Sequence, residues 1–283
     1  MKVFAAMALF VVASSARGGD FASDFALVMI DDRTEAKYGA FPFDRRLYAE
    51  AIDACARYKA KAVVLKFFLD RAKSPAGDAL LCDSMKKIPV ALQARLDSTE
   101  GTPQTIPSRF SLSQQKLAVA ARGDRGWIPL PALMEAATTI GFVDFDGPEI
   151  PLVEEYRDAP YRSLILCCLE LVVQSRVRIV GDGKIHIGSG YLPVDDKNVL
   201  SVDVSRLEPL NVISLAALLA GEVKINEIEG RVVILGWDSN GTPTLPTRNG
   251  SMRIHRVFCQ CLAESYRVLK ANQFPEPALR AVQ

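Results

Sequence analysis

The sequence has no excess of charge of either sign. It contains 34 Lys and Arg residues against 33 Asp and Glu residues, a formal net charge of +1. Proteins that bind nucleic acids carry a basic stripe or patch, so this balance predicts no nucleic-acid partner. Hydrophobic residues make up 49% of the chain and charged residues 24%, which is typical of a folded protein. A chain of 283 residues is long enough to bury a substantial core.

Histidine is scarce, and the cysteines lack a metal-binding pattern. His186 and His255 are the only histidines, and none of the six cysteines belongs to a CxxC pair. This argues against a zinc site, and we expect no metal. Six cysteines are also too few for a disulfide scaffold in a chain of this size. We expect most of them to be buried as small apolar side chains, with a Cys55–Cys82 disulfide as the open alternative.

The sequence also lacks the short motifs of common enzymes and cofactor-binding proteins. It contains no GxSxG motif, no G-x-x-x-x-G-K-[ST] motif and no internal repeat. The glycine-rich pieces at residues 181–184 and 188–190 do not stand between a strand and a long helix, so they favour turns. No Cys/His pair comes with a third catalytic member. We therefore predict a protein that is not an enzyme and has no cofactor.

Long apolar runs are rare, and the clearest one lies at the N-terminus. Residues 3–12 are apolar, with Lys2 before them and small residues at 14–16. This order predicts a secretory signal peptide over residues 1–16, although a retained anchor or a buried first helix stays open. No segment reaches the roughly 20 apolar residues of a membrane span. We expect a periplasmic or secreted protein with one domain over residues 17–270 and a flexible tail over 271–283.

The chain between residues 25 and 92 alternates between strand and helix patterns. Phe25–Ile30 and Ala62–Leu65 are apolar runs typical of strands that are buried on both faces. Apolar residues recur between them at helical spacing, and Asp44 is placed to be the N-cap of that helix. Such a strand–helix–strand unit predicts two parallel strands. A further helix, capped by Asp78, and a strand over residues 88–92 repeat the pattern.

The rest of the chain adds strands, helices and one irregular segment. We predict strands at 140–145 and 232–236, a helix capped by Ser163, a hairpin around 181–183 and a final helix over 253–270. Residues 150–153 are expected to pair with 140–145. The polar composition of residues 97–125 predicts an irregular excursion with a helical piece at 113–121. The predicted fold is one α/β domain that has a mainly parallel central sheet, flanking helices and an antiparallel edge.

Polar residues follow the first and the last of the predicted parallel strands. Asp31 and Asp32 end the first strand, and a polar loop over residues 237–250 follows the last one. Ligands bind at the carboxyl edge of open α/β sheets, so we predict a polar cleft between these two loops. Adjacent carboxylates point to opposite sides of an extended chain, which argues against the DxDxT site of haloacid-dehalogenase phosphatases. A metal-dependent hydrolase that uses Asp31 and Asp32 stays an alternative.

Two stretches of the sequence resemble a known family. The first is IDDRTEAKYGAFPFDRR, and the second is VVILGWDSNGTPTLPTRNGSMRIHRV. Together they resemble the CHASE domain of the second type, whose opening reads D-D-x-S-L-x-x-x-G-x-W-P-W-x-R. The matching residues are Asp31, Asp32, Gly39, Pro42 and Arg45 in the first stretch, and Gly236, Thr242, Pro243, Gly250 and His255 in the second. Phe41 and Phe43 replace two tryptophans, Lys66 replaces an Asp, and Arg256 replaces an Ala.

The resemblance spans residues 25–268 and implies an extracytoplasmic sensor for a small molecule. Because no membrane helix or output domain follows in the sequence, we expect a free-standing ligand-binding module that acts through a membrane-bound signalling partner. Arg45 would bind an anionic group of the ligand, and the carboxylates would accept hydrogen bonds from it. A structural envelope protein that binds a partner through residues 97–125 is a further alternative. The predicted ligand-binding residues are Asp31, Asp32, Arg45, Asp238, Thr242 and His255.

Overall fold

The computed structural model describes residues 21–97, 104–112, 117–145, 147–204, 207–247 and 250–273. The predicted signal peptide lies outside these ranges, as does the predicted tail from residue 274 onward. The described α-helices are α1 Phe21–Asp24, α2 Asp32–Tyr38, α3 Arg45–Arg57, α4 Pro75–Met85, α5 Pro131–Ala136, α6 Leu164–Val173, α7 Leu215–Leu219 and α8 Ile254–Ala271.

The strands belong to a large central sheet and to several small sheets around it. In chain order they are β1 Phe25–Ile30, β2 Ala62–Leu65, β3 Val90–Leu96, β4 Arg122–Gly123, β5 Gly126–Trp127, β6 Thr139–Phe142, β7 Glu149–Pro151, β8 Val153–Tyr156, β9 Ala159–Arg162, β10 Val177–Ile179, β11 Lys184–Ile187, β12 Gly190–Pro193, β13 Val199–Ser201, β14 Val212–Ser214, β15 Val232–Trp237, β16 Thr244–Thr247 and β17 Gly250–Arg253.

The central sheet contains parallel strands in the order β14-β1-β15-β2-β3-β6. The short strand β5 extends it as an antiparallel neighbour of β3. All residues of β1 and β2 are buried, which explains why both sequences are uninterrupted apolar runs. Strand β15 lies between β1 and β2, so the last parallel strand of the chain fills the middle of the sheet. The predicted α/β fold with a mainly parallel central sheet is confirmed.

Helices cover both faces of this sheet, because alternate residues of a strand point to opposite faces. Val63 and Leu65 of β2 belong to the core that includes residues of α3, α4, α5 and α7. Ala62 and Val64 belong to the second core, which includes residues of α6 and α8. The sequence of α6, LILCCLELVV, is almost wholly apolar because nearly all of its side chains are buried. The carboxyl ends of the parallel strands are left for polar loops.

Most of the predicted helix starts agree with the structure. The side chain of Asp44 accepts a hydrogen bond from the backbone N–H of Arg46 and caps α3. Ser163 caps α6 in the same way. The predicted cap at Asp78 is wrong, because α4 begins one turn earlier, with Ser74 as its N-cap and a proline at its first position. Asp78 lies in the first turn of α4 instead.

The antiparallel edges differ in part from the prediction. The hairpin between β10 and β11 is confirmed, and both glycines of its turn, Gly181 and Gly183, have positive φ angles. The predicted pairing of residues 150–153 with 140–145 is wrong: β6 pairs in parallel with β3, and β7 pairs with β13. The hairpin from β8 to β9 turns at Arg157 and Asp158, two non-glycine residues with positive φ, which the sequence did not signal.

The segment over residues 97–125 is irregular where the structure describes it. A short 3₁₀ helix, Ser108–Phe110, places the fully buried Phe110 in the core. The predicted helical piece at 113–121 lies partly outside the described residues, and its described part, residues 117–121, is not helical. This segment is therefore anchored to the domain by an aromatic side chain and by the small strand β4, and the strand β5 follows it directly.

All six cysteines are free thiols. The alternative of a Cys55–Cys82 disulfide is therefore wrong in this structure. Five of the six are buried, as the sequence predicts for small apolar side chains, and Cys82 is half-buried. Burial raises the pKa of the Cys55 thiol to about 12, so this side chain stays neutral and unreactive at ordinary pH.

Candidate functional site

Asp31, at the end of β1, is the N-cap of α2. Its Oδ1 accepts hydrogen bonds from the backbone N–H of Thr34 at 2.9 Å, from the Thr34 hydroxyl and from the Ser214 hydroxyl at 2.9 Å. The Thr34 hydroxyl in turn accepts a hydrogen bond from the backbone N–H of Ala216. Asp31 therefore joins the start of α2 to the start of α7, and its role is to fix the loop.

The pKa of Asp31 depends on two opposing effects, which are burial and the hydrogen bonds described above. Partial burial raises the pKa of this carboxyl, but the hydrogen bonds from Thr34 and Ser214 outweigh that effect and leave the pKa below its usual value. A carboxylate with a lowered pKa stabilises the fold above its unfolded pKa, and this contribution is lost as the pH falls through the folded pKa.

We expect Asp31→Ala to destabilise the protein by about 1–2 kcal/mol, because it removes an N-cap and leaves two hydroxyl groups without their acceptor. The free energy of unfolding, measured by urea denaturation at pH 7, checks this. Asp32→Ala is the matched control: Asp32 is exposed and does not cap the helix, so its loss should cost less. Equal effects of the two substitutions would contradict the assignment of Asp31 as the cap.

Asp32 belongs to a polar network that connects the loop after β1 to the loop after β15. Its Oδ1 accepts a hydrogen bond from the backbone N–H of Asn240 at 2.8 Å. The Asn240 Oδ1 accepts one from Arg253 at 2.9 Å. Arg253 also donates to the Asp238 Oδ1 at 3.2 Å, and Arg256 donates to the Asp238 Oδ2 at 2.7 Å. We call these five residues the edge network.

The edge network brings together charges of both signs at the carboxyl edge of the sheet. Asp238 is buried, with a side chain that is only 3% exposed, and two guanidinium groups compensate its charge. The side chains of Arg253 and Arg256 are 28% and 45% exposed. Two carboxylates and two guanidinium groups cancel in charge, yet Asp32 and Arg256 each reach solvent. The exposed Asp32 carboxylate and the exposed Arg256 guanidinium can bind a ligand that carries both a hydrogen-bond donor and an anionic group.

Thr242 and His255 lie beside the edge network and support its backbone. The Thr242 hydroxyl accepts a hydrogen bond from the backbone N–H of Ser239. His255 is buried on α8, and its Nδ1 accepts a hydrogen bond from the backbone N–H of Trp237 at 3.1 Å. Burial, assisted by the positive charge of Lys66, holds the pKa of His255 well below its usual value. His255 is therefore a neutral acceptor that fixes the end of β15.

Arg45 does not belong to the edge network, and its contacts are with other parts of the fold. It is buried at the start of α3, with its Nε 3.4 Å from the Asp78 Oδ1 and its Nη2 donating to the backbone oxygen of Arg71. Its guanidinium also lies 5.9 Å from the centroid of the Tyr48 ring. Arg45 thus connects α3 to α4, and the exposed guanidinium at the edge belongs to Arg256.

Aromatic stacking closes the space between the two loops. The Phe41 and Trp237 rings are stacked, with centroids 4.6 Å apart. The Glu35 carboxylate accepts hydrogen bonds from the Trp237 indole N–H and from the backbone N–H of Phe41, both at 3.1 Å. The loops therefore contact each other directly, without an open cleft between these side chains. Sequence reasoning missed four residues as members of the site, although all of them lie within the two stretches it singled out: Glu35, Asn240, Arg253 and Arg256.

Lys66 is a buried cation at the same edge of the sheet. It follows β2 and is 5% exposed, and burial lowers its pKa to about 8. Its Nζ lies 4.9 Å from the centroid of the Phe258 ring. Among the described residues, no group of three or more His, Cys, Asp or Glu side chains is arranged to hold a metal ion.

The fold and the edge network together define an α/β domain in which polar loops gather at the carboxyl ends of parallel strands. The chain belongs to the CHASE2 domain family, whose family model matches residues 5–261 of the 283. CHASE2 domains are extracellular sensory domains that bind small molecules in signalling receptors. No curated protein and no solved structure matches the chain. Across the described residues, no helix is long and apolar enough to span a membrane.

Proposed function

We propose that this protein is an exported, non-catalytic sensory domain that binds a small polar molecule at the edge network. The main observation behind the proposal is that hydrogen bonds connect five polar residues at the carboxyl edge of the sheet: Asp32, Asn240, Arg253, Asp238 and Arg256. Membership of the CHASE2 family supports a sensory role. A membrane-bound signalling protein is the partner that such a sensor requires.

The chemistry of the edge network indicates the ligand class. The exposed part of the Arg256 guanidinium is suited to a carboxylate or phosphate group of the ligand. The exposed Asp32 carboxylate is suited to a hydroxyl or amine on the same molecule. A hydroxy acid or an amino acid carries both groups. In this proposal Arg256 takes the role of anion anchor that the sequence suggested for Arg45.

A thermal-shift screen of hydroxy acids, amino acids and divalent metals tests the proposal. A ligand at about 100 times its dissociation constant should raise the melting temperature by about 5 °C. The shift should be lost in Arg256→Ala and in Asp32→Asn. It should persist in Arg46→Ala, a control that removes an exposed arginine beside Asp44, outside the edge network.

Other outcomes of the screen separate the alternatives. A shift with divalent metal alone, lost in Asp32→Asn, would favour the metal-dependent hydrolase. No shift with any compound, together with capture of an envelope protein, would favour the structural interaction protein. Export is tested separately: residues 1–16 predict that protein recovered from the periplasm of a Gram-negative host starts at Arg17.

A further inference from the structure

A cavity of about 220 Å³ lies at the amino edge of the central sheet, opposite to the edge that carries the edge network. Lys61 and Thr138, which stand directly before β2 and β6, line it. The end of α6 and residues 174–176, which follow that helix, line the other side. The volume is below the range of about 300–1,000 Å³ that is typical of sites for drug-sized molecules, so the cavity suits a small ion or a single charged group.

Cations outnumber acids around this cavity. Among the described residues that line it, Glu170 is the only acid, whereas Lys61 and Arg176 are both cations. The Glu170 charge is already compensated from the protein interior, because the Nε of the buried Arg162 lies 3.3 Å from the Glu170 Oε2. The Glu170 Oε1 accepts a hydrogen bond from the backbone N–H of Val177 at 2.7 Å. The positive charges of Lys61 and Arg176 therefore remain in excess.

Both of these cations keep hydrogen-bond donors for a ligand. The Arg176 Nη1 lies 3.7 Å from the Glu170 Oε2, which is longer than a hydrogen bond, and the Arg176 side chain is 65% exposed. Lys61 donates one of its three N–H groups, to the backbone oxygen of Val172 at 3.3 Å. Three further residues with side chains that can donate a hydrogen bond line the cavity: Thr138, Gln174 and Ser175. Such a lining is complementary to an anion with several acceptor oxygens.

We propose that this cavity is an oxyanion site, which binds a phosphate group, as the free ion or as a monoester, between Lys61 and Arg176. The Arg176 guanidinium can donate two parallel hydrogen bonds to phosphate oxygens, and the Lys61 ammonium adds a second positive charge. None of the five residues of the edge network lines the cavity. The proposal therefore does not depend on the polar ligand proposed above.

A phosphate group in this cavity would connect three parts of the fold. Lys61 begins the segment of β2, Thr138 stands before β6, and Arg176 follows α6. An anion bound by all three would hold the end of α6 against the amino ends of two parallel strands. Phosphate should therefore also stabilise the folded protein, in proportion to the occupancy of the site.

Titration of the ¹⁵N-labelled protein with sodium phosphate, followed by NMR spectroscopy, tests the proposal. Sodium chloride keeps the ionic strength constant, so that a general salt effect does not contribute. We expect the backbone amide signals of Thr138, Ser175 and Arg176 to shift and to saturate. The amide of Asn240 reports on the edge network separately, because it donates a hydrogen bond to Asp32. Shifts at Asn240 without saturating shifts at the cavity would overturn this proposal and leave the one for the edge network intact.

A second titration, with glycerol phosphate, identifies the source of the phosphate group. Saturating shifts at the same amides support the site with either compound. Tighter binding of glycerol phosphate than of inorganic phosphate indicates a monoester, and weaker binding indicates the free ion. Saturation with neither compound would overturn the proposal.

Substitutions of the two cations locate the binding site. Arg176→Gln and Lys61→Met should each weaken phosphate binding about tenfold, and Arg176→Lys, which keeps the charge but not the planar fork, should weaken it less. Glu170 keeps Arg162 as its ion-pair partner in Arg176→Gln, so we expect this variant to fold. Arg178→Gln is the matched control, because Arg178 is exposed and lies two residues further along the chain but does not line the cavity. Binding unaffected by both Arg176→Gln and Lys61→Met, or weakened equally by Arg178→Gln, would overturn the proposal.

Discussion

Replacement of Lys66 by Met is expected to stabilise the folded protein by about 3 kcal/mol at pH 7. Lys66 is 5% exposed, and burial lowers its pKa from 10.5 to about 8. A difference of one pKa unit between folded and unfolded states corresponds to about 1.4 kcal/mol. Methionine keeps the length and the apolar stem of the side chain, so the substitution removes the buried charge without opening a cavity.

The surroundings of Lys66 do not compensate its charge. Within the described parts of the chain, its ammonium group forms neither an ion pair nor a hydrogen bond, and its nearest favourable contact is the Phe258 ring. Its neighbours are the buried thiols of Cys168 and Cys259 and the imidazole of His255.

The advantage of Lys66→Met should depend on pH with a defined sign. Below about pH 8 the lysine is protonated in both states, and the folded state carries the full cost of burying the charge. Between about pH 8 and 10.5 the unfolded state binds more protons, so the stability of the wild-type protein rises with pH relative to the variant. The difference should vanish near pH 10.5. Comparing the two proteins at each pH cancels the titration of cysteines and tyrosines.

Urea denaturation of both proteins at pH 7, 8.5 and 10 measures this difference. Lys197→Met, which removes an exposed lysine from a turn, is the control and should change the free energy of unfolding little at all three values. A Lys66→Met protein that is less stable than the wild type at pH 7 would show that the ammonium group stabilises the fold. In that case the pKa of Lys66 is not lowered in the folded state.

The central sheet was predictable because its strands are buried on both faces. Phe25–Ile30 and Ala62–Leu65 must be apolar at every position, and such runs stand out in a sequence. The helix caps at Asp44 and Ser163 were predictable because they depend on local hydrogen bonds. The place of β15 between β1 and β2 depends on contacts across more than 160 residues. No local pattern encodes such an order.

The location of the candidate site at the edge of the sheet was predictable, whereas the residues that form it were predictable only in part. Loops after parallel strands meet at one edge, which brings Asp32 and Asp238 into one network. The contacts that each side chain makes depend on the direction in which it points in the folded protein, and the sequence does not show this direction. The Arg45 side chain points into the interface between α3 and α4, whereas the Arg253 and Arg256 side chains point toward Asp238. A charged residue looks the same in a sequence whether it faces a ligand or an ion-pair partner.

Glu154 is the second group whose burial the sequence concealed. It lies in β8 within the sequence VEEY, where adjacent acids suggest an exposed strand, yet all four residues are buried. Neither of its carboxyl oxygens has a hydrogen-bond donor among the described residues. Its neighbour is the carboxyl of Asp144, which accepts a hydrogen bond from the backbone N–H of Leu96 at 2.9 Å and lies 3.7 Å from the Arg95 guanidinium.

The electrostatics of this buried pair favour one proton on the Glu154 carboxyl. Burial raises the pKa of Glu154 well above its usual value, and the negative charge of Asp144 raises it further. A protonated Glu154 can donate a hydrogen bond to Asp144, which two carboxylates cannot form. An acid with a raised pKa contributes full stability below its unfolded pKa, and that contribution is lost as the pH rises toward the folded pKa. The fold therefore loses stability at this site between acidic and neutral pH.

Glu154→Gln is expected to stabilise the protein on the order of 1–3 kcal/mol at pH 7 and to change it little at pH 4. The glutamine amide donates to Asp144 without taking up a proton. Denaturation curves at the two pH values measure the effect. Glu155→Gln is the control: Glu155 pairs with Arg122 at 3.5 Å, so its substitution should weaken the fold at pH 7. A loss of stability in Glu154→Gln at both pH values would mean that Glu154 is ionised in the folded protein.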